Sequence, residues 1–338
     1  MYQIKEIFKK LIHKENLTIK QSSEIFEKII NKNIDPIQIS SLLTFLFLKG
    51  ESFEEIIGAV NVLKKKAKKI NLNNDLIDTC GTGGDNKGSF NFSTATAILL
   101  SACGIKVAKH GNRSITSKSG SSDVLSSLGI NINLEEKDQK KFFKRNGICF
   151  LFAPNYHPSL KNVMEIRRSL PFKTIFNLIG PLLNPASIDY QLLGVGEYRN
   201  LKTHSKCIST QGIKSAWVVH NMDGYDELTT LSPNYVYKVK NNKVSKLTRI
   251  TPEQAGLEYS KEVDLKGGAP EENAYLMHRL FEGETGAIRD NVLLNAGACL
   301  NIVNKVSSIK DGVILAAKHI DNFSGKNKLN ELINFSKK

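Results

Sequence analysis

Between Asp78 and Ser121 the chain sets three polar turns in succession: Asp78-Thr-Cys-Gly-Thr-Gly-Gly-Asp85, Asn91-Phe-Ser-Thr94, and Lys109-His-Gly-Asn-Arg113 leading into a Ser/Thr-rich run. Gly81, Gly83 and Gly84 admit positive φ and let backbone N–H groups touch a phosphate. Asn91, Ser93 and Thr94 stand where a helix is expected to start, able to cap it or to bind an anion, and Lys109 with Arg113 adds cations just past the next expected strand. So many N–H, hydroxyl and cationic groups in one stretch suggest a substrate carrying more than one phosphate. The run is not a Walker A loop, because no Gly-Lys-Ser/Thr triplet follows, and it does not fit the GxGxxG dinucleotide pattern. One glycine-rich turn alone is often only a tight turn; two anion sites on adjacent strand ends favour function.

Those turns need a scaffold, and the apolar pattern describes one. Leu76-Ile77, Ile105 to Ala108, Ile148 to Phe152, Gln191 to Val195 and Ala216 to Val219 read as buried strands. Helices are expected over Ser93 to Ala102, Glu135 to Lys144, Leu201 to Ser209 and Glu271 to Phe281. Alternation of this kind predicts an α/β fold with a mostly parallel central sheet covered by helices, whose ligands gather beyond the carboxyl ends of the strands. Tyr235 to Val239 and Val244 to Arg249, joined by Lys240-Asn-Asn-Lys243, read as an antiparallel hairpin, and Ala287 to Val303 with two shorter segments ends the chain in helices.

The first 70 residues read as a separate small α-helical domain, followed by the large α/β domain over 71–338. Ile4, Ile7, Phe8, Leu11 and Ile12 recur at helical spacing; Thr18 can cap a second helix; Asp35-Pro36 opens a third that Gly50 ends; and the capping box Ser52-Phe-Glu-Glu55 opens a fourth. The third carries Leu42, Leu43, Phe45, Leu46, Phe47 and Leu48, more apolar surface than one face needs. Both a subunit contact and ordinary core packing account for it.

With 338 residues, 41% of them hydrophobic, the chain has ample material for a large core. Cys80, Cys103, Cys149, Cys207 and Cys299 are scattered and never in a CxxC pair, which argues against a disulfide framework or a zinc site and suits a reducing compartment. No run approaches the roughly 20 apolar residues of a membrane span, and the N-terminus lacks a signal-peptide core, so a soluble cytoplasmic protein is expected. The formal charge of +14 invites a nucleic-acid reading, but the lysines spread along the whole chain, and compositional drift is the better account. The densest run, Lys64 to Lys69, is expected to end a helix and stay solvated.

The strings Gly-Thr-Gly-Gly-Asp85, Asn-Phe-Ser-Thr94 and Lys-His-Gly-Asn-Arg113 are followed by Phe176-Asn-Leu-Ile-Gly-Pro-Leu-Leu-Asn-Pro185 and Asp223-Gly-Tyr-Asp-Glu227. In this order, and over nearly the whole chain, they resemble the anthranilate phosphoribosyltransferases of tryptophan biosynthesis. The resemblance implies transfer of phosphoribosyl from phosphoribosyl pyrophosphate to the amine of anthranilate, with magnesium, two ions per subunit, as cofactor. It also implies a nucleoside phosphorylase-like fold, helices near 160–185 joining the N-terminal domain, and a homodimer formed through that domain.

Carried over by position, Gly81, Gly84, Asp85, Ser89, Asn91, Phe92, Ser93 and Thr94 surround phosphoribosyl pyrophosphate, together with Lys109, His110, Gly111, Asn112 and Arg113, then Ser114, Ile115, Thr116, Ser117 and Ser121. Ser93, Asp226 and Glu227 hold magnesium, which suits a hard cation that wants oxygen ligands; as a bare pair the two carboxylates read as a solvated surface feature. Anthranilate lies near Gly81, His110, Asn112 and Arg167, whose guanidinium matches a carboxylate bidentately; an ion pair with Glu165 is the plainer alternative. His110 has no acid or base role, no residue acts as covalent nucleophile, and His157 is structural or at the pocket edge.

Asn86 stands where the family commonly has glycine, Ser89 replaces a usual threonine, Lys173 a frequent arginine, and Ser122 and Ser126 a common alanine and glutamate. Asn tolerates left-handed backbone better than other non-glycine residues, so Asn86 need not break the turn. Two other readings stay open. A pyrimidine nucleoside phosphorylase shares the fold and the anion-binding glycine loop but lacks a two-carboxylate magnesium loop, and a catalytically silent relative could bind nucleic acid through its basic surface.

Overall fold

The protein is described by a computed structural model covering residues 4–72, 75–113 and 118–337. The chain divides into two units, one of residues 1–69 and 153–185, the other of residues 70–152 and 186–338.

Local caps set the helices of the first unit: α1 (Ile4–Ile12), α2 (Ile19–Ile30), α3 (Pro36–Lys49) and α4 (Phe53–Lys66). Thr18 and Gln21 close one capping box and Ser52 and Glu55 another, while the Asp35 carboxylate accepts from Ile37 N–H and Gly50 ends α3 at φ 83°. Glu55 does more than cap. Its fully buried carboxylate also accepts from Leu17 N–H at 2.9 Å and from Lys49 Nζ at 2.8 Å, so it ties the segment before α2 and the end of α3 to the start of α4. Removing one member of such a buried pair typically costs about 3–5 kcal/mol, because the other charge is stranded. α3 buries Ile39, Leu42, Leu43 and Leu46, packs Phe45 edge-on to Phe8 and stacks Phe47 on Phe172, leaving Ile37 and Leu48 exposed. The lysine run departs from expectation at its first member: Lys64 is half-buried, and burial with Lys69 nearby lowers its pKa to about 8.

The second unit is built on β1 (Ile77–Asp78), β2 (Val107–Gly111), β3 (Ile148–Phe152), β4 (Tyr190–Gly194), β5 (Ser215–Asn221), β6 (Asn234–Lys240), β7 (Lys243–Val244) and β8 (Thr248–Ile250). The sheet order is β3-β2-β1-β4-β5-β6-β7, with β8 also on β6; β1 to β5 are parallel and the rest antiparallel. Chain order therefore reverses between β1 and β4, and a doubly wound sheet opens a crevice at such a reversal, outside the carboxyl ends of the strands. Helices α5 (Phe92–Ala102) and Ala287–Ile302 are buried along most of their length in the core.

Two strand expectations need correction. β2 runs on to Gly111, so Lys109 and His110 lie within a buried strand paired to Phe150 and Leu151 of β3 rather than past its end. The return arm of the hairpin is broken into β7 and β8, because the Ser245 hydroxyl takes the Lys238 N–H that a continuous ladder would use. Among the described residues no helix is long and apolar enough to cross a membrane.

Candidate active site

The glycine turn after β1 is held open by left-handed backbone at Gly83, Gly84, Asn86 and Gly88, with Asn86 at φ 59°. Its first half is stitched to the end of β4: Thr82 N–H donates to Gly194 O at 2.9 Å and its Oγ1 accepts from Gly196 N–H at 3.2 Å. Its far end is anchored by Phe90 N–H on Leu265 O and by a bridge between Ser89 and Lys266. The turn is therefore fixed on both flanks, and Gly88 O also accepts from Gly267 N–H.

Asp226 and Glu227 reach this turn from the loop after β5. Asp226 Oδ2 accepts from Gly83 N–H at 2.6 Å, and Glu227 Oε1 accepts from Ser93 N–H at 3.0 Å, at the positive end of the α5 dipole. Lys109 Nζ, buried, donates to Thr79 O and to Ser93 Oγ, each at 3.2 Å. Burial, the Asp226 charge and the Asp85 charge push the Glu227 carboxyl well above the usual carboxylate range, against the opposing Ser93 N–H and Lys109. Three carboxylates thus crowd one end of the crevice. Gly81, Ser93, Asp226 and Glu227 line one pocket, joined there by Thr79, Thr96, Gly194 and Asn295.

Around this centre the other expected residues have different settings. Lys109, Gly111 and Ser121 line an adjoining pocket walled by Phe150 and Phe152; Ser121 Oγ donates to Asn112 O, and Arg113 is exposed and paired with Asp123 at 3.3 Å. Asn91 does not cap α5; its amide is paired with Ser119. Asp85 accepts from Lys87 N–H. Phe92 and Thr94 face inward: the Phe92 ring is fully buried against Phe90 and its N–H is taken by Phe90 O, so it offers a ligand nothing in this state. His110 is buried, and its backbone N–H donates to Asp78. Ser114, Ile115, Thr116 and Ser117 lie outside the described residues.

Arg167 belongs to the helical unit, on the short helix Met164–Ser169. Its guanidinium sits 5.4 Å from the Phe176 ring centroid, and its buried Nε has no hydrogen-bond partner. Burial lowers its pKa to about 10, so it stays charged at neutral pH. The Glu165 ion pair does not form. In the same unit His157 Nε2 lies 2.9 Å from Leu183 O.

Sequence reasoning missed Gly194 and Asn295. Nothing local marks Gly194, which matters only because the Asp226 backbone passes against it. Asn291 and Asn295 did leave a signal: two amides one helical turn apart, flanking and interrupting the apolar run from Val292 to Leu300.

Residues 5–67 match the helical bundle domain of a glycosyl transferase family, and residues 73–326 match its a/b domain, so the fold and the crevice are those of a two-domain glycosyl transferase. Similarity extends over whole chains: the anthranilate phosphoribosyltransferases of Caldanaerobacter subterraneus subsp. tengcongensis and Thermoanaerobacter sp. are 45% and 43% identical over 99% of both chains. The crystal structure of the enzyme of that name from Thermus thermophilus superposes with a TM-score of 0.90 at 35% identity, covering 98% of this chain and 99% of that one. The Saccharomyces cerevisiae enzyme, in complex with PRPP and Mg, gives a TM-score of 0.90 at 25% identity, covering 99% and 98%. The chain belongs to the anthranilate phosphoribosyltransferase family.

Proposed function

We propose that the protein transfers the 5-phosphoribosyl group of phosphoribosyl pyrophosphate to the amine of anthranilate, giving N-(5-phosphoribosyl)anthranilate and pyrophosphate in tryptophan biosynthesis. The observation that carries this reading is the convergence of the glycine turn, the start of α5 and Asp226–Glu227 on one crevice, in a chain whose full-length relatives bear that name.

In this reading the diphosphate meets the open backbone of Gly81, Gly84 and Asp85, and the segment from Lys109 to Ser121 cradles the rest of the sugar phosphate. Ser93, Asp226 and Glu227 hold Mg2+. The donor set fits: all three offer hard oxygens, and carboxylates crowded beside Asp85 favour a divalent cation. We take the number of ions as two, as the resemblance to the family implies. Charge growing on the departing pyrophosphate is what bound Mg2+ offsets. Lys109, fixed by Thr79 and Ser93, adds a buried positive charge beside the same centre.

Anthranilate's amine is mostly neutral at pH 7 and attacks directly as pyrophosphate leaves, and the proton its nitrogen then sheds passes to water or to the departing pyrophosphate; Gly81, His110 and Asn112 border the acceptor and Arg167 takes its carboxylate. A half-buried guanidinium whose Nε has no hydrogen-bond partner supports that role. The exposed Ile12, Ile37 and Leu48 of the helical unit support a homodimer through that unit, and five free thiols support a cytoplasmic setting. Loss of anthranilate fluorescence with phosphoribosyl pyrophosphate, with and without Mg2+, tests the whole. Silence in that assay, with phosphorolysis of a pyrimidine nucleoside instead, would overturn it.

A further inference from the structure

The acidic pair is carried on a stretch of chain that belongs to no strand, yet the three residues that follow it have their backbone N–H groups engaged by side chains. Leu228 N–H donates to Asn295 Oδ1 at 3.2 Å, Thr229 N–H to Asn234 Oδ1 at 2.9 Å, and Thr230 N–H to Asn291 Oδ1 at 2.9 Å. In return Asn295 Nδ2 donates to Leu228 O at 2.8 Å and Asn234 Nδ2 to Thr229 O at 3.0 Å. Three consecutive peptide groups are thus paired by side-chain amides standing in for a neighbouring strand. All three asparagines are buried, and the spare hydrogens of Asn291 and Asn295 go to Ala287 O and Asn291 O in their own helix. With every amide atom of Asn295 committed, rotation of its side chain is blocked.

We propose that Asn295, supported by Asn291 and Asn234, is a positioning residue that sets where Asp226 and Glu227 sit; this rests on the reading that the two carboxylates hold Mg2+. The amide of Asn295 grips the residue next to Glu227 and lines the same pocket as Ser93, Asp226 and Glu227. Asp226 and Glu227 sit on a loop between β5 and β6, so they need an outside tether to keep their placement before a cation arrives. A rigid helix in the core provides it, just as outer partners orient metal ligands elsewhere. Simple satisfaction of buried backbone groups is the competing account, and it predicts lost stability alone.

The test compares Asn295→Ala, Asn291→Ala and the double variant Asp226→Asn with Glu227→Gln. It measures Mn2+ binding with pyrophosphate present by electron paramagnetic resonance, the Mg2+ concentration for half-maximal turnover, both KM values and Tm. Asn295→Ala should weaken Mn2+ binding and raise the Mg2+ requirement by about tenfold or more, while KM for anthranilate at saturating Mg2+ stays within about twofold. Asn291→Ala, which touches Thr230, should lower Tm similarly yet move the Mg2+ requirement less than about threefold. If Asn295→Ala does not fold, Asn295→Leu keeps the volume and removes the same bonds. A fall in Tm and kcat with unchanged Mn2+ binding would overturn the positioning role. An unchanged Mg2+ requirement in the double variant would instead remove the metal reading, and the proposal with it.

Discussion

Gly194, the last residue of β4, faces the backbone of Asp226 with no room to spare. A Cβ built there would lie 1.4 Å from Asp226 O, 2.3 Å from its carbonyl carbon and 3.2 Å from its Cα. Ordinary contact begins at 3.4 Å, so Gly194→Ala must drive the two chains apart by about 2 Å. β4 cannot yield, because Gly194 is paired in register with Val219 of β5 and its carbonyl holds Thr82. The loop carrying Asp226 and Glu227 must move instead. Overpacking of this kind costs about 1–3 kcal/mol of stability, which a protein with a large core can survive. Its effect on turnover is larger, since a misplacement of about 1 Å can cost 10²-fold and here the carboxylates proposed to hold Mg2+ shift further. We expect kcat/KM to fall by at least about 10²-fold, equivalent to roughly 2.7 kcal/mol of transition-state stabilisation, with a raised Mg2+ requirement. Stopped-flow or steady-state loss of anthranilate fluorescence across a Mg2+ series reads both. Gly81→Ala is the internal comparison: its Cβ would meet the Asp226 carboxylate at 2.4 Å and the Asp226 carbonyl oxygen at 3.1 Å, so the side chain must swing aside but the backbone need yield only a few tenths of an ångström. A folded Gly194→Ala protein with turnover and Mg2+ requirement close to wild type would refute the argument.

Replacing Asp226 by Asn and Glu227 by Gln together should raise the Mg2+ concentration needed for turnover, checked by titration at fixed substrates. Arg167→Ala should raise KM for anthranilate far more than KM for phosphoribosyl pyrophosphate; equal effects on both would count against its role. Lys64 binds its proton less tightly folded, with pKa about 8, than unfolded, near 10.5. Its buried charge therefore weakens the folded state at neutral pH, and stability should climb as pH rises from about 8 to 10.5. Lys64→Met should raise Tm at pH 7 and flatten that climb, as thermal melts at several pH values would reveal.

What sequence reveals here follows the range of the interactions. The starts of α2, α3 and α4 are legible because Thr18, Asp35 and Ser52 bond to N–H groups two or three residues on. The glycine turn is legible because its left-handed backbone is encoded in Gly83, Gly84, Asn86 and Gly88 themselves. The end of β2 is not: Lys109 and His110 look like loop residues until β3 pairs with them and Thr79 O and Ser93 Oγ receive the ammonium. Lys64 looks solvated because nothing nearby in sequence says what covers it. The same holds for the site. Its glycine, hydroxyl and acidic strings can be read directly, but the closeness of Gly194 to Asp226 and the grip of Asn295 on Leu228 join residues 32 and 67 positions apart.

The stitches between Thr82 and Gly194, and between Gly83 and Asp226, join pieces of chain more than a hundred residues apart. Neither exists until β1, β4 and β5 have come together, so no fragment of the α/β unit can harbour a weak early version of the crevice. Occupancy by the sugar diphosphate then selects only the completed unit, and substrate abundance itself should shield newly made chains from degradation by drawing them out of the unfolded pool.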